Sequence, residues 1–197
     1  MTEELAAPAE SRAENGGASR TVALPGNPEL RHVTWADVNR SVSPLVKAVH
    51  GWWAAHRRAN GLADRGDLDP AALKGCVANL IIADAEPEPF RVRYRLVGTK
   101  VVQYTGFDFT GRYLDALGTP DLIGHWQRDY WTAYHERRPV LGSTVEPTTT
   151  GGEVTFEFGI FPLARGGEAV AQFVSVEDYF GFDLTSAQLL PWGVAGE

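Results

Sequence analysis

Between Phe90 and Leu96 apolar and charged residues alternate without a break, Phe90, Val92, Tyr94 and Leu96 against Arg91, Arg93 and Arg95. Period two predicts a strand with one face on a core and the other toward water. Gly98-Thr99 ends the alternation, and Val101, Val102 and Tyr104 continue at helical spacing to Gly106, where a helix end favours positive φ. Upstream, the apolar run from Val77 to Ala85 predicts a well-covered strand. Glu86-Pro87-Glu88-Pro89 joins it so closely to the Phe90 strand that the two must be antiparallel neighbours. Three more strands follow: Val140 to Glu146, Val154 to Ile160, and Ala169 to Tyr179, with turns around 148–152 and 165–168. In the second, Val154, Phe156, Phe158 and Ile160 alternate with Thr155, Glu157 and Gly159. In the third, Val170, Val174 and Val176 face one way, and Ala171, Phe173 and Ser175 the other.

Helical spacing marks two longer segments. From Val42 to about Ala59, Leu45, Val46, Val49, Trp52, Trp53 and His56 recur at intervals of three and four, after a Ser43 N-cap and Pro44 in the first turn. Two adjacent tryptophans cover more than one stripe of this helix. Val49, Trp52 and Trp53 are therefore candidates for an interface with a second subunit, with core packing as the alternative. A short helix is expected at Asp69-Pro70-Ala71-Ala72-Leu73. Another helix begins at Thr119-Pro120-Asp121 and carries Leu122, Ile123, Trp126, Tyr130, Ala133 and Tyr134 toward Arg138-Pro139. Residues 1–30, rich in Ala, Glu, Gly, Pro and Ser, predict a disordered tail, and a short ordered turn is expected around Trp35 to Val38. The organisation is a tail (1–30), a flanking helix (42–60), an α+β domain (66–180) and a C-terminal tail (185–197). Five strands closed into one antiparallel sheet, with the middle helices over one face, give that domain its shape.

The 197 residues suit one domain with a real core. A net charge of −7 without a Lys/Arg cluster argues against nucleic-acid binding. The Arg91, Arg93 and Arg95 row then reads as a solvated or partner-covered strand face. Cys76 is the single cysteine, which excludes an intramolecular disulfide and a cysteine zinc site. The N-terminal stretch lacks the features of a secretory signal, and no segment is long and apolar enough to span a bilayer. The expectation is a cytoplasmic protein with no membrane attachment.

The order of elements, with Gly106, Gly111 and Arg112 where they stand, resembles the PAS fold. It is most similar to a bacterial branch of stand-alone PAS-like proteins long filed as a domain of unknown function. The resemblance rests on Trp52-Trp53 followed by His56-Arg57-Arg58, on Asp67-Leu68-Asp69-Pro70, on Tyr94-Arg95-Leu96-Val97-Gly98-Thr99 and on the turn from Gly106 to Arg112. It covers about residues 42 to 180. The chain departs from it at Lys74-Gly75-Cys76-Val77, where a Leu-Pro pair is expected before the first strand. The resemblance implies a five-stranded antiparallel sheet in spatial order 2-1-5-4-3 cupping a pocket under short helices. It also implies a sensing or interaction module, with no established chemistry to carry over.

No catalytic motif stands out: there is no HExxH, no GxSxG and no phosphate loop followed by Lys-Ser/Thr. His125 and His135 lie too far apart on their helix to share a metal. Some PAS domains hold haem through a histidine near the pocket, where His125 would be the candidate. Flavin-binding relatives need an Asn-Cys-Arg run that Cys76 lacks. The reading therefore assigns neither haem nor flavin, no metal site and no catalytic residue. Tyr94, Tyr104, Phe107, Phe109, Trp126, Tyr130, Phe156, Phe158 and Phe173 are expected to converge between sheet and helices. They either line a site for a small, mostly apolar ligand or fill one another's space. The partners implied are a second copy of the chain and a signalling protein. The competing class is a small α+β-cone enzyme using Asp108, Asp129 or His125 as an acid or base.

Overall fold

A computed structural model describes residues 19–22, 30–118, 120–148 and 152–181. In chain order the elements are β1 (Ser19–Val22), β2 (Leu30–Trp35), α1 (Pro44–Ala55), β3 (Ala63–Asp64), β4 (Leu80–Pro87) and β5 (Phe90–Val97). Then come α2 (Thr99–Thr105), α3 (Pro120–Glu136), β6 (Val140–Pro147), β7 (Glu153–Ala164) and β8 (Gln172–Phe180). The strands order as β1-β2-β6-β7-β8-β4-β5, and β3 lies parallel to β7 while the other pairs run antiparallel. Within that row, β5-β4-β8-β7-β6 is the expected 2-1-5-4-3 path.

The sheet is buried on both faces, which is why its strands carry apolar residues at both parities. On the inner face α2 and α3 cover Phe156, Phe158, Ile160 and Phe173. On the outer face α1 lays Val46, Val49, Trp52 and Trp53 on Leu141, Phe161, Leu163, Val174 and Val176. Val49, Trp52 and Trp53 are all buried within the chain, so the expected subunit interface is corrected: these side chains meet the sheet. Trp53 Nε1 also donates to the Pro162 carbonyl at 2.8 Å, satisfying its indole N–H.

Two buried carboxylate contacts aim α1. Ser43 caps it, its hydroxyl accepting from Val46 N–H at 3.0 Å and donating to Asp178 at 2.7 Å. Glu157, on the outer face of β7, accepts from Val42 N–H at 3.1 Å, from Ser43 N–H at 2.9 Å and from the Ser41 hydroxyl. These backbone donors precede the first turn, where the helix supplies no acceptor for them and the dipole favours negative charge. Glu157→Gln keeps the shape but weakens the charge-assisted bonds. It should lower the unfolding free energy by about 1–2 kcal/mol in urea titration. The helix stops at Ala55, four residues before the expected end: His56 makes the last i→i−4 bond, its ring also reaching the Trp52 carbonyl, and Arg57 N–H tightens to the Ala54 carbonyl.

Three further expectations are corrected. Asp69 to Leu73 forms turns closed by three-residue hydrogen bonds, Ala72 N–H to Asp69 and Cys76 N–H to Leu73, and not a helix. A 3-10 turn at Val77–Asn79 delays the first expected strand to Leu80, and Asn79 fixes the turn by donating to the Glu177 carbonyl at 2.7 Å. Leu96, expected on the core face, is 47% exposed. A bulge sets Tyr94 opposite Ala83 and Leu96 opposite Ile82, leaving Arg95 as the extra residue, so the faces exchange past it.

β1 lies within the stretch expected as a tail, and β2 starts at its last residue, Leu30. β1 pairs with β2, and β2 with β6, extending the sheet beyond its five-stranded path. The expected turn near Trp35 is a 3-10 turn at Val38–Arg40 capped by Asp37. Residues 1–18, 23–29 and the expected C-terminal tail (185–197) lie outside the described residues. Among the described residues no helix is long and apolar enough to cross a membrane.

Candidate functional site

Strand parity places the site. On β6 the residues Val140, Gly142, Thr144 and Glu146 share a face, and on β8 the residues Phe173, Ser175, Glu177 and Tyr179 do. The register sets Phe158 between Gly142 and Glu177, and Phe156 between Thr144 and Tyr179. Gly142 is required there: a Cβ would lie 2.5 Å from the Phe158 ring. Gly106 ends α2 at φ 81, as the sequence predicts, and turns the chain toward Phe109.

A cavity of about 20 Å³ lies between these strands and α3. Phe109, Trp126, Phe156, Phe158 and Tyr94 supply rings to its wall, while Tyr130, Ser175, Glu146, Glu177 and Tyr179 supply polar atoms. That volume holds roughly one or two water-sized groups. The Tyr130 hydroxyl pairs with Ser175 Oγ at 3.1 Å. The Tyr179 hydroxyl donates to Glu177, and its ring stacks on Tyr104 at 3.8 Å and on Phe156 at 4.6 Å. Glu146 is 7% exposed and has no hydrogen-bond partner among the described residues. Burial, reinforced by repulsion from Glu177, pushes its carboxyl up to about 8. Burial raises the half-buried Glu177 to about 7, against the opposing pull of the Tyr179 hydroxyl. Burial also lifts Tyr94, Tyr130 and Tyr179 above the ordinary phenol range.

A family model for the PAS domain matches residues 42–176. The chain belongs to the PAS domain family. Among curated proteins none matches it by sequence. Solved structures similar to this PAS protein include an RNA-binding light-oxygen-voltage receptor, with a TM-score of 0.40 at 15% identity, covering 84% of this chain and 39% of that one. They also include a cysteine-to-serine mutant of Vivid, with a TM-score of 0.41 at 14% identity, covering 66% of this chain and 98% of that one. The PAS protein thus spans well under half the length of the first.

Of the nine side chains expected to converge, six line the cavity of the PAS domain: Tyr94, Phe109, Trp126, Tyr130, Phe156 and Phe158. Tyr104 and Phe173 belong to the same core but stand behind the lining, and Phe107 packs half-buried against Phe109. The sequence reading missed Thr105, Glu146, Ser175, Glu177 and Tyr179 as lining residues. Parity alone could have found the two acids, since Glu177 follows Phe173 and Ser175 by steps of two, and Glu146 follows Val140 likewise. Val170 is corrected as well. It lies before β8 begins and packs in the inner core, apart from Val174 and Val176.

The three candidate acid–base residues do not meet. Asp108 is exposed and caps a turn, and its hydrogen bonds to Thr110 hold its carboxyl below the ordinary value. Asp129 and His125 lie in a separate buried cluster with His32, which β2 brings to the inner face opposite Thr144. His32 Nε2–H donates to Asp129 at 2.7 Å, and Nδ1 meets the Thr144 hydroxyl at 2.8 Å. The His125 ring lies 4.5 Å from that of His32. Burial, then repulsion from His32 and Arg128, lowers its pKa to about 2, so it stays neutral. Thr144, His32 and Asp129 form a hydroxyl–imidazole–carboxylate row, yet none lines the cavity and all are buried. The row ties β2 to α3.

Cys76 lies in the outer core, across the sheet from the cavity, and burial raises its thiol. Neither that position nor a hollow of this volume fits a flavin or a haem. The arginine row is covered in part: Arg91 pairs with Asp115 at 2.7 Å and stacks on Tyr113 at 3.7 Å, while Arg95 reaches Asp84 at 3.2 Å.

Proposed function

We propose that this PAS protein is a sensory or regulatory module that holds a small ligand between α3 and the sheet and passes its presence to a signalling partner. Glu146 carries the reading. An ionisable group buried in a ring-lined cavity without a partner opposes folding. Groups kept at such a cost concentrate at binding sites. The cytoplasmic location expected from the sequence belongs to the same proposal. Native mass spectrometry of the purified full chain, alone and with a library of small fragments, tests it. The expected result is a stoichiometric adduct that Trp126 fluorescence also reports. No adduct and no spectral change across the library would overturn it.

A second reading, contact between copies of the chain, has its own observation. Trp131 is 45% exposed on α3 and clusters with Phe90 at 5.1 Å, His135 at 5.5 Å and Tyr134 at 6.2 Å. Exposed ring clusters of this kind suit interface cores. Trp131→Ala should weaken a homodimer by about 30-fold, the effect of a moderate hot spot. Light scattering at micromolar protein checks it, and a monomeric mass for the unaltered chain would contradict it.

A further inference from the structure

We propose that the cavity selects a small organic cation, its protonated amine seated against Glu146 and Glu177 beneath the aromatic rings. This deepens the ligand-site reading above and rests on it.

The hydrogen-bond inventory points there. Tyr130 is engaged with Ser175, and Glu177 already accepts from Tyr179. What is left over is acceptor capacity: Glu146 is 7% exposed and lines the hollow, and no hydrogen bond from the described residues reaches its carboxyl. An ammonium group brings three donors and no acceptor. An alcohol of equal size brings one donor and leaves an ionised Glu146 without a counter-charge.

Charge agrees with the inventory. The described residues lining the cavity include two carboxyls and no Lys, Arg or His. An anion would be repelled, whereas a cation replaces the proton that otherwise neutralises Glu146. The other titratable groups facing it are Tyr94 on β5, Tyr130 on α3, and Glu177 and Tyr179 on β8. Burial raises all three phenols above the ordinary range, so they hold their protons where Glu146 ionises. The rings of Trp126, Phe156 and Phe158 present π-systems that attract a desolvated cation. Volume sets the size. A hollow of about 20 Å³ takes an ammonium head with at most a short alkyl body.

Calorimetric titration of the full chain at pH 8.5 with ethylammonium chloride, ethanol and sodium chloride tests the assignment. Ligands of so few atoms should bind in the roughly millimolar range. The expected result is saturable ethylammonium binding at least tenfold tighter than ethanol, weakened at least tenfold in Glu146→Gln and unaffected by equal sodium. Circular dichroism of that variant confirms that it is folded. If ethanol binds as well as the amine and ignores Glu146→Gln, the cation class is overturned while the ligand site stands. If sodium competes equally, the amine is overturned in favour of a simple cation site. Binding of none of the three, together with a silent fragment library, overturns both readings.

Discussion

Trp53→Ala is expected to lower the unfolding free energy by about 3–5 kcal/mol while leaving the mass of the folded particle unchanged. The indole is 3% exposed, lies among Phe161, Leu163 and the rest of the outer core, and donates to the Pro162 carbonyl. Truncation removes the transfer free energy of the ring, leaves a cavity, and strips a buried carbonyl of its donor. A tryptophan at a subunit seam would behave differently. Its removal would shift the mass at fixed protein concentration and change the unfolding midpoint only through dissociation. Urea titration and light scattering on the same samples separate the two. A dissociating but otherwise stable variant would contradict the buried placement.

The second large effect carries the opposite sign. Glu146→Gln is expected to stabilise the protein at pH 8, on the order of 3 kcal/mol, and to do nothing below pH 4.5. The unfolded chain releases this proton near 4.5, whereas the folded chain keeps it up to about 8. Between those values the unfolded state binds fewer protons, so stability falls as pH rises and levels off above 8. Glutamine has the same shape and no charge to desolvate. Other groups bend the whole curve. His125, neutral in the fold down to about 2, withdraws stability as pH falls below 6.5, and Glu177 acts in the same sense as Glu146 up to about 7. His125 is present in both proteins and cancels in the difference, which reports the Glu146 charge together with its repulsion of Glu177. A difference that does not change from pH 4 to pH 9 would contradict its burial in the ionisable form.

Much of this architecture could be read from residue spacing. Period two in Phe90 to Leu96 and Val154 to Ile160 located strands, Ser43-Pro44 located the start of α1, and the glycine at 106 ended α2. The sheet path followed from short connections. What escaped the reading depended on contacts distant in sequence. The bulge at Arg95 arises where β5 meets β4, so Leu96 looked like a core residue until its partner was known. β1 carries Val22 as its one apolar group, and Leu30, Val33 and Trp35 in β2 do not follow strict alternation. Their order comes from the edge of β6 and from the His32–Asp129 and His32–Thr144 bonds, which join residues far apart in the chain.

The candidate site was legible in its rings and illegible in its acids. Aromatic side chains announce a core by their size, and six of nine were assigned to the cavity they line. Glu146 and Glu177 do not stand out in the sequence because a carboxylate in a strand ordinarily marks the solvent side of the alternation. Here the alternation was the better guide: both share parity with Val140 and Phe173, and the strand had no second way to turn them. The tryptophan pair shows the reverse error. Two adjacent rings suggested two faces in use, yet Trp52 and Trp53 both fit the one broad apolar surface that α1 lays on the sheet.

Glu146, which no described residue hydrogen-bonds, lines the hollow of the inner face, and the ligand site stands or falls with it. Carbon NMR titration of its carboxyl, assigned by the signal lost in Glu146→Gln, measures this directly. A midpoint near pH 8 that moves lower when ethylammonium is added is the predicted result. A midpoint at the ordinary 4.5, unmoved by the amine, would contradict both the site and the ligand class assigned to it.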